Sequence, residues 1–189
     1  WVFDTATGQF QRGWLRRRPR IDVGLWQCGW QHWPAFEPHH YLKLPHMIAA
    51  TNYVATVDGQ LVAHVAVSTR SRSEARACRL VVMPEWPGAG VGPRFLDAVG
   101  RLGRTGANRY GRPMPTLFHT SHPGLASALR RSARWTQVSA KLLGDSKARS
   151  IASLQLSAAR NGTRNTGTGY GGHFRAVQGF RYLGAQPCA

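Results

Sequence analysis

The stretch "RLVVMPEWPGAGVGPRFLDAVGRL", residues 79–102, limits the possible folds more than any other part of the chain. An apolar, β-branched run stops at Pro84, three glycines (Gly88, Gly90 and Gly92) fall within five positions, and the periodicity then changes. Residues 78–84 read as a buried strand ending at the proline. Beyond Pro93, the residues Phe95, Leu96, Val99 and Leu102 recur on one helical face, while Arg94, Asp97, Arg101 and Arg104 lie off it. Pro93 suits a first helical position, where its missing N–H has no intrahelical partner in any case. The chain must therefore pass from strand to helix through a glycine loop.

Two common nucleotide loops are excluded by spacing. A P-loop needs Lys-Ser/Thr after its last glycine, and Gly92 is followed by Pro93 and Arg94. A dinucleotide fingerprint that starts at Gly88 and Gly90 would need its third glycine at Pro93, and Asp97 comes too early to bind a ribose. A strand, a glycine loop and a helix N-terminus remain, which together aim several backbone amides and a positive dipole end at one point. That arrangement suits an anion.

The flanks set the order of elements. "IDVGLWQ" (21–27) alternates as a half-buried strand, with Ile21, Val23 and Leu25 on the apolar side. The segment 29–48 is dense in Trp, His and Pro and predicts short helical turns. "TNYVATV-DG-QLVAHVAVS" predicts a hairpin closed by a type I′ turn at Asp58-Gly59. "TLFHTS" predicts a strand, the segment from Pro123 a helix, and "FRAVQGFRYLG" a closing strand. Residues 1–20 read as a basic arm, 21–189 as one domain, and 144–172, rich in Gly, Ser, Thr and Asn, as a flexible loop.

The order V-x-P, glycine loop and helix resembles the acyl-coenzyme A signature of the GNAT superfamily of N-acyltransferases. Gly90 and Gly92 match the signature glycines, and Pro87 stands where that family carries Gln or Arg. The resemblance covers roughly residues 20–183 and implies an α/β (α+β) acyltransferase fold, a mixed, mostly antiparallel sheet flanked by helices. It implies acetyl-CoA or another acyl-CoA as cofactor, held by Val81, Val82, Gly88, Ala89, Gly90, Val91, Gly92 and Arg94. The strings "FEPHHYLKL" and "HTSHPGLASALRRSARW" further resemble a branch that holds Mom-type DNA-modification proteins and the acetyltransferase-like domains that follow ABC-type ATPases. The opening "WVFDTATG" looks like the tail of such an ATPase, which would make that ATPase a partner.

Acyl transfer needs a proton acceptor for the amine, a donor for the leaving thiolate and a polarised carbonyl. His40, Tyr41 and Ser121 are the candidates for base, proton donor and acyl-positioning group. Family members often carry a tyrosine on the second helix, but the matching position here is Arg130. Structural roles compete with these assignments. His40 and Tyr41 could fill an aromatic core with Trp30, Trp33 and Phe36, and Ser121 or His122 could cap the helix that begins at Pro123. No metal centre is expected, because Cys28, His32, His39, His40 and His46 follow no standard ligand spacing.

Charge directs the choice of acceptor. The chain holds 25 Lys+Arg against 8 Asp+Glu, a net charge of +17, and residues 100–189 carry fourteen of those bases and one acid, Asp145. A field of that sign attracts polyanions, and the arginine fork suits phosphate and base edges. Nucleic acid, DNA first, is the expected partner, contacted by Arg16, Arg17, Arg18, Arg130 and Arg131. The expected reaction is acylation of a nucleic-acid base. Two alternatives remain open: an acetyltransferase for protein or small-molecule amines, and a non-catalytic DNA-docking module. Cys28, Cys78 and Cys188 form no disulfide framework, and no apolar run reaches membrane-spanning length, so a cytoplasmic location without membrane contact is expected.

Overall fold

Alternating apolar residues in 51–69 meet the Asp58-Gly59 turn and form the central hairpin of the sheet. In a computed structural model, β4 (Thr51–Val57) and β5 (Gln60–Thr69) pair antiparallel, with Asp58 and Gly59 at φ 49° and 78°. Positive φ at both turn residues is the type I′ geometry that matches strand twist. The structure describes residues 2–4, 7–11, 21–42, 46–47, 49–69, 73–86, 88–141, 151–152, 155–156, 158–160, 162 and 176–184. Arg16, Arg17, Arg18, Pro87 and most of 144–172 lie outside them.

The chain begins with a small hairpin, β1 (Val2–Asp4) and β2 (Gln9–Gln11). Then come β3 (Gly24–Cys28), α1 (Trp33–Phe36) between two 3-10 turns, β4, β5 and β6 (Ala75–Val82). After β6 follow α2 (Val91–Thr105), β7 (Thr116–Thr120), α3 (Pro123–Arg131), β8 (Trp135–Lys141) and β9 (Val177–Tyr182). Seven strands form one sheet in the order β3-β4-β5-β6-β7-β9-β8, antiparallel at every junction except the parallel β6–β7 pair. This is the mixed, mostly antiparallel sheet with flanking helices that the sequence implies.

The expected α2 face is the buried one. Phe95, Leu96 and Val99 join Tyr53, Val65, Ala77, Phe118 and Phe180 in the main core, with Leu102 packed against it. Two glycines bring the helix close to the sheet. A Cβ at Gly100 would lie 2.6 Å from the Tyr182 ring, and one at Gly103 would lie 2.6 Å from Thr116 Oγ1 and 3.0 Å from the Met114 carbonyl. α2 begins at Val91, so Pro93 occupies its third position rather than its first. The proline is tolerated there because no N–H in the first turn has an intrahelical acceptor.

Three other expectations need correction. The N-terminal arm contains the β1–β2 hairpin, whose Phe3 and Phe10 rings lie 4.9 Å apart, an aromatic cross-strand pair. The expected loop 144–172 contains helical residues at 151–152, 155–156 and 158–160, where the composition is Ala- and Leu-rich and the Gly-Thr-Asn bias has not yet begun. The first strand of the domain starts at Gly24, and Val23 is exposed. A Gly100→Ala substitution should destabilise the fold by about 1–3 kcal/mol, because a new methyl must displace a buried ring. Denaturant unfolding measures it, and unchanged stability would show that the close packing of α2 is dispensable.

Candidate active site

The sheet opens at its one parallel junction. β6 and β7 pair over three residues, Ala75↔Thr116 to Ala77↔Phe118, yet β6 runs on to Val82 and β7 to Thr120. The cause lies in β6. Its register with β5 shifts between His64 and Ala66, and opposite that shift Arg79 sits at φ 52°, in the left-handed region. A bulge adds twist and bends the strand that carries it, here away from β7. An arginine held at positive φ costs on the order of 1–2 kcal/mol, which the surrounding pairing must offset.

The bulge leaves backbone groups facing the gap. Met83 N–H donates to Val62 O across the β5–β6 pair at 2.9 Å, so by alternation the N–H and C=O of Val82 point away from β5. The Val82 side chain lies towards α2, where a Cβ at Gly92 would touch its Cγ2 at 3.4 Å. Val81 is buried on the opposite face with Trp33, Phe36 and Val54. The two valines thus serve different surfaces, and the Val82 backbone lies on the gap's edge.

Above the gap stands the N-terminus of α2. Gly88 and Gly90 have φ of 75° and 76°, which only glycine adopts without strain, and a Cβ built on either meets nothing within 4 Å. Gly90 is the N-cap, and no side chain caps the helix. With glycine at the N-cap, no cap side chain accepts from the first-turn amides. Ala89 is half-buried and packs against the core, and Arg94 is exposed on the first turn. The positive dipole end of α2 lies at this loop.

The other face of β5 and β6 carries a histidine cluster. His40 is buried, its ring 5.6 Å from Trp33, and its Nδ1 lies 2.8 Å from Leu42 O and 3.2 Å from Leu42 N. Tyr41 is 63% exposed, and its ring lies tilted against His40 at 4.5 Å. The structural role open to His40 is thus partly realised: it closes a turn and packs on Trp33. Trp30 does not join that core; it is exposed and stacks on His46 at 4.6 Å. His64 lies 5.2 Å from Trp33 and 5.4 Å from Phe36, and it is only 1% exposed.

Neither His64 nitrogen makes a hydrogen bond among the described residues. Burial is the main cause that lowers its pKa to about 4, and the charges of Arg79, His32 and His40 add to it, while the nearby Arg79 backbone opposes it. His64 is therefore neutral near neutral pH. The sequence reading does not single it out, although a lone polar residue in "QLVAHVAVS" is a visible irregularity. The Arg79 bulge has no comparable sequence signal.

Ser121 follows the last residue of β7, half-buried at the opposite lip of the gap, and its Oγ has no hydrogen-bond partner among the described residues. His122 is the N-cap of α3: its Nδ1 accepts from Leu125 N–H at 3.1 Å, and its own N–H donates to Thr120 Oγ1 at 3.0 Å. The capping role thus falls to His122 and leaves the serine hydroxyl available. Arg130 and Arg131 are exposed on α3 and bond within the protein, to Gln178 Oε1 at 2.6 Å and to Ser127 Oγ. No three His, Cys, Asp or Glu side chains converge among the described residues. No helix of those residues is long and apolar enough to cross a membrane.

The seven-stranded, mostly antiparallel sheet with flanking helices is the fold of solved GNAT acetyltransferases. Among solved structures, the chain resembles the IAA acetyltransferase from Bacillus cereus ATCC 14579, at 13% identity over 85% of this chain and 99% of that one, with a TM-score of 0.56. The ribosomal-protein-S18-alanine N-acetyltransferase from Escherichia coli matches at 12% identity over 88% and 97% of the two chains, with a TM-score of 0.55. A GNAT family acetyltransferase from Elizabethkingia anophelis, solved with acetyl-CoA bound, matches at 8% identity over 86% and 98%, with a TM-score of 0.54. No family model matches the sequence, and no curated protein does either.

The buried imidazole makes stability depend on pH. The unfolded chain binds a proton at His64 near pH 6.5 and the folded chain only near 4, so the unfolded state gains protons first as pH falls. Stability should drop through the window from about 6.5 to 4, by up to about 3 kcal/mol from this residue. Denaturant unfolding at pH 7 and pH 4.5 measures the drop, and His64→Phe should shrink it. An equal drop in the variant would assign the acid sensitivity elsewhere.

Proposed function

We propose that the chain is an acyl-CoA-dependent N-acyltransferase whose acceptor is an amine of a nucleic-acid base. The observation that carries the first part is the three-residue β6–β7 pairing, with the parted strands opening beneath an uncapped helix N-terminus. The residues present fit the coenzyme. Amides of the 88–92 loop suit a pyrophosphate, open space lies above Gly88 and Gly90, and Arg94 adds a positive charge. Acyl-CoA supplies an acyl thioester when bound.

The chain's own groups do the rest. The Val82 N–H, on the edge of the gap, would donate a hydrogen bond to the acyl carbonyl, and Ser121, at the end of β7, would help to position the acyl group. The reaction replaces a C–S bond with a C–N bond, takes one proton from the amine and returns one to the departing thiolate. His40 accepts the amine proton: if Nδ1–H donates to Leu42 O, the tautomer presents Nε2 as a base. Tyr41, tilted against His40 and exposed, is the proton donor or the hydrogen bond to the acceptor. The net charge of +17 supports a polyanionic acceptor.

A second reading has its own support, because the Escherichia coli neighbour is an acetyltransferase for a ribosomal-protein alanine. Incubating the protein with labelled acetyl-CoA and, in parallel, an oligonucleotide, a peptide or a polyamine separates the two. Label on a nucleobase is expected, with a rate lowered about a hundredfold or more in His40→Ala. Label on the peptide or polyamine alone would overturn the acceptor assignment, and an unchanged rate in His40→Ala would remove His40 from the chemistry.

A further inference from the structure

The outer face of α2 carries a groove of about 460 Å³ that shares only Arg94 with the proposed acyl-transfer site. Three guanidinium groups from the helix line it, Arg94, Arg101 and Arg104, and Arg134 closes it from beyond α3. The three helical arginines are exposed, fall within about 80° around the axis and span about 15 Å along it. The groove's one acid is already engaged. Asp97 accepts from Arg134 Nη1 at 2.8 Å and from Trp135 Nε1 at 2.6 Å, and the Asp97 pairing holds Arg134 firmly protonated. Arg94, Arg101 and Arg104 have no carboxylate partner among the described residues.

The floor is shaped for this row. Gly184 has φ 91°, and a Cβ there would come within 3.3 Å of Arg104 Nε and 3.4 Å of its Cδ, so the glycine lets Arg104 lie flat against the backbone that follows β9. The buried Tyr182 ring forms the base beneath it.

We infer that this groove is a docking surface for the phosphodiester backbone of nucleic acid, bound without regard to sequence. A row of fixed positive charges about 15 Å long spans about four phosphates of one strand, at roughly 3.4 Å of axis each. Guanidinium forks in a line match that repeat, and a lone coenzyme phosphate would leave most of them idle. The inference does not rest on the acyl-transfer reading, since the groove would hold nucleic acid in a catalytically silent protein as well.

The test uses the double variant Arg101→Gln/Arg104→Gln, which leaves Arg94 at the glycine loop untouched. Fluorescence anisotropy with a labelled DNA duplex, at several salt concentrations, should show affinity falling at least tenfold. The slope of log affinity against log salt should shrink by about two, one per lost phosphate contact. Acetyl-CoA affinity, read by calorimetry, should stay the same. Arg101→Lys/Arg104→Lys, with the charges kept, should retain most of the binding, which separates a lost contact from a damaged fold. Unchanged duplex binding in the Gln variant would overturn the inference. So would weakened acetyl-CoA binding with duplex binding intact, which would make the groove a coenzyme seat. Displacement of the duplex by polyglutamate as readily as by unlabelled DNA would refute a nucleic-acid partner.

Discussion

The parting of β6 from β7 is the constraint on which the rest of the structure depends. Five of the six junctions in the seven-stranded sheet would exist in any twisted sheet of this kind, but the parallel one has only three paired residues on each strand. Beyond Ala77 the β6 backbone groups that face away from β5 must find partners other than β7. A fold that left such groups buried and unsatisfied would lose on the order of 1–3 kcal/mol for each. Placing them on an open gap avoids that loss and makes them available to a ligand. The bulge at Arg79 achieves the separation, and the antiparallel pairing with β5 resumes at Val81 and Val82 to hold the bent strand.

The glycine loop and α2 follow from that opening. β6 ends at Val82, and left-handed glycines at 88 and 90 lead into α2, whose first turn packs beside Val82 at Gly92. α2 then needs a firm seat, which Gly100 and Gly103 supply by letting its backbone approach β9 and β7. The same helix turns a basic face outward. One element thereby links the glycine loop beside the gap with a surface whose Arg94, Arg101 and Arg104 have no carboxylate partner among the described residues.

Much of this was legible in the sequence, for identifiable reasons. The hairpin at Asp58-Gly59 was readable because two positive-φ positions demand those residue types, and the α2 face because its apolar residues repeat at helical spacing. The passage from β6 through left-handed glycines into α2 was readable from a strand, glycines and a helix in direct succession. His64 was hidden because one polar residue in an apolar strand looks like noise until Trp33 and Phe36 pack around it from a distant segment. The Arg79 bulge was hidden because arginine carries no preference for positive φ; tertiary pairing imposes it. The helical residues within 151–160 were masked by the glycine-rich run that follows them. The α2 groove was half visible: Arg94, Arg101 and Arg104 stood on the polar face, but Arg134 and Gly184 join them only in space.

Calorimetric titration of the protein with acetyl-CoA tests the central claim most directly, because it asks only whether the gap and the glycine loop form a coenzyme seat. One molecule bound per chain in the micromolar range, about 8 kcal/mol of binding free energy, with marked weakening in Gly90→Ala, is the expected result. The absence of saturable binding at about 1 mM, equivalent to less than about 4 kcal/mol, would contradict it.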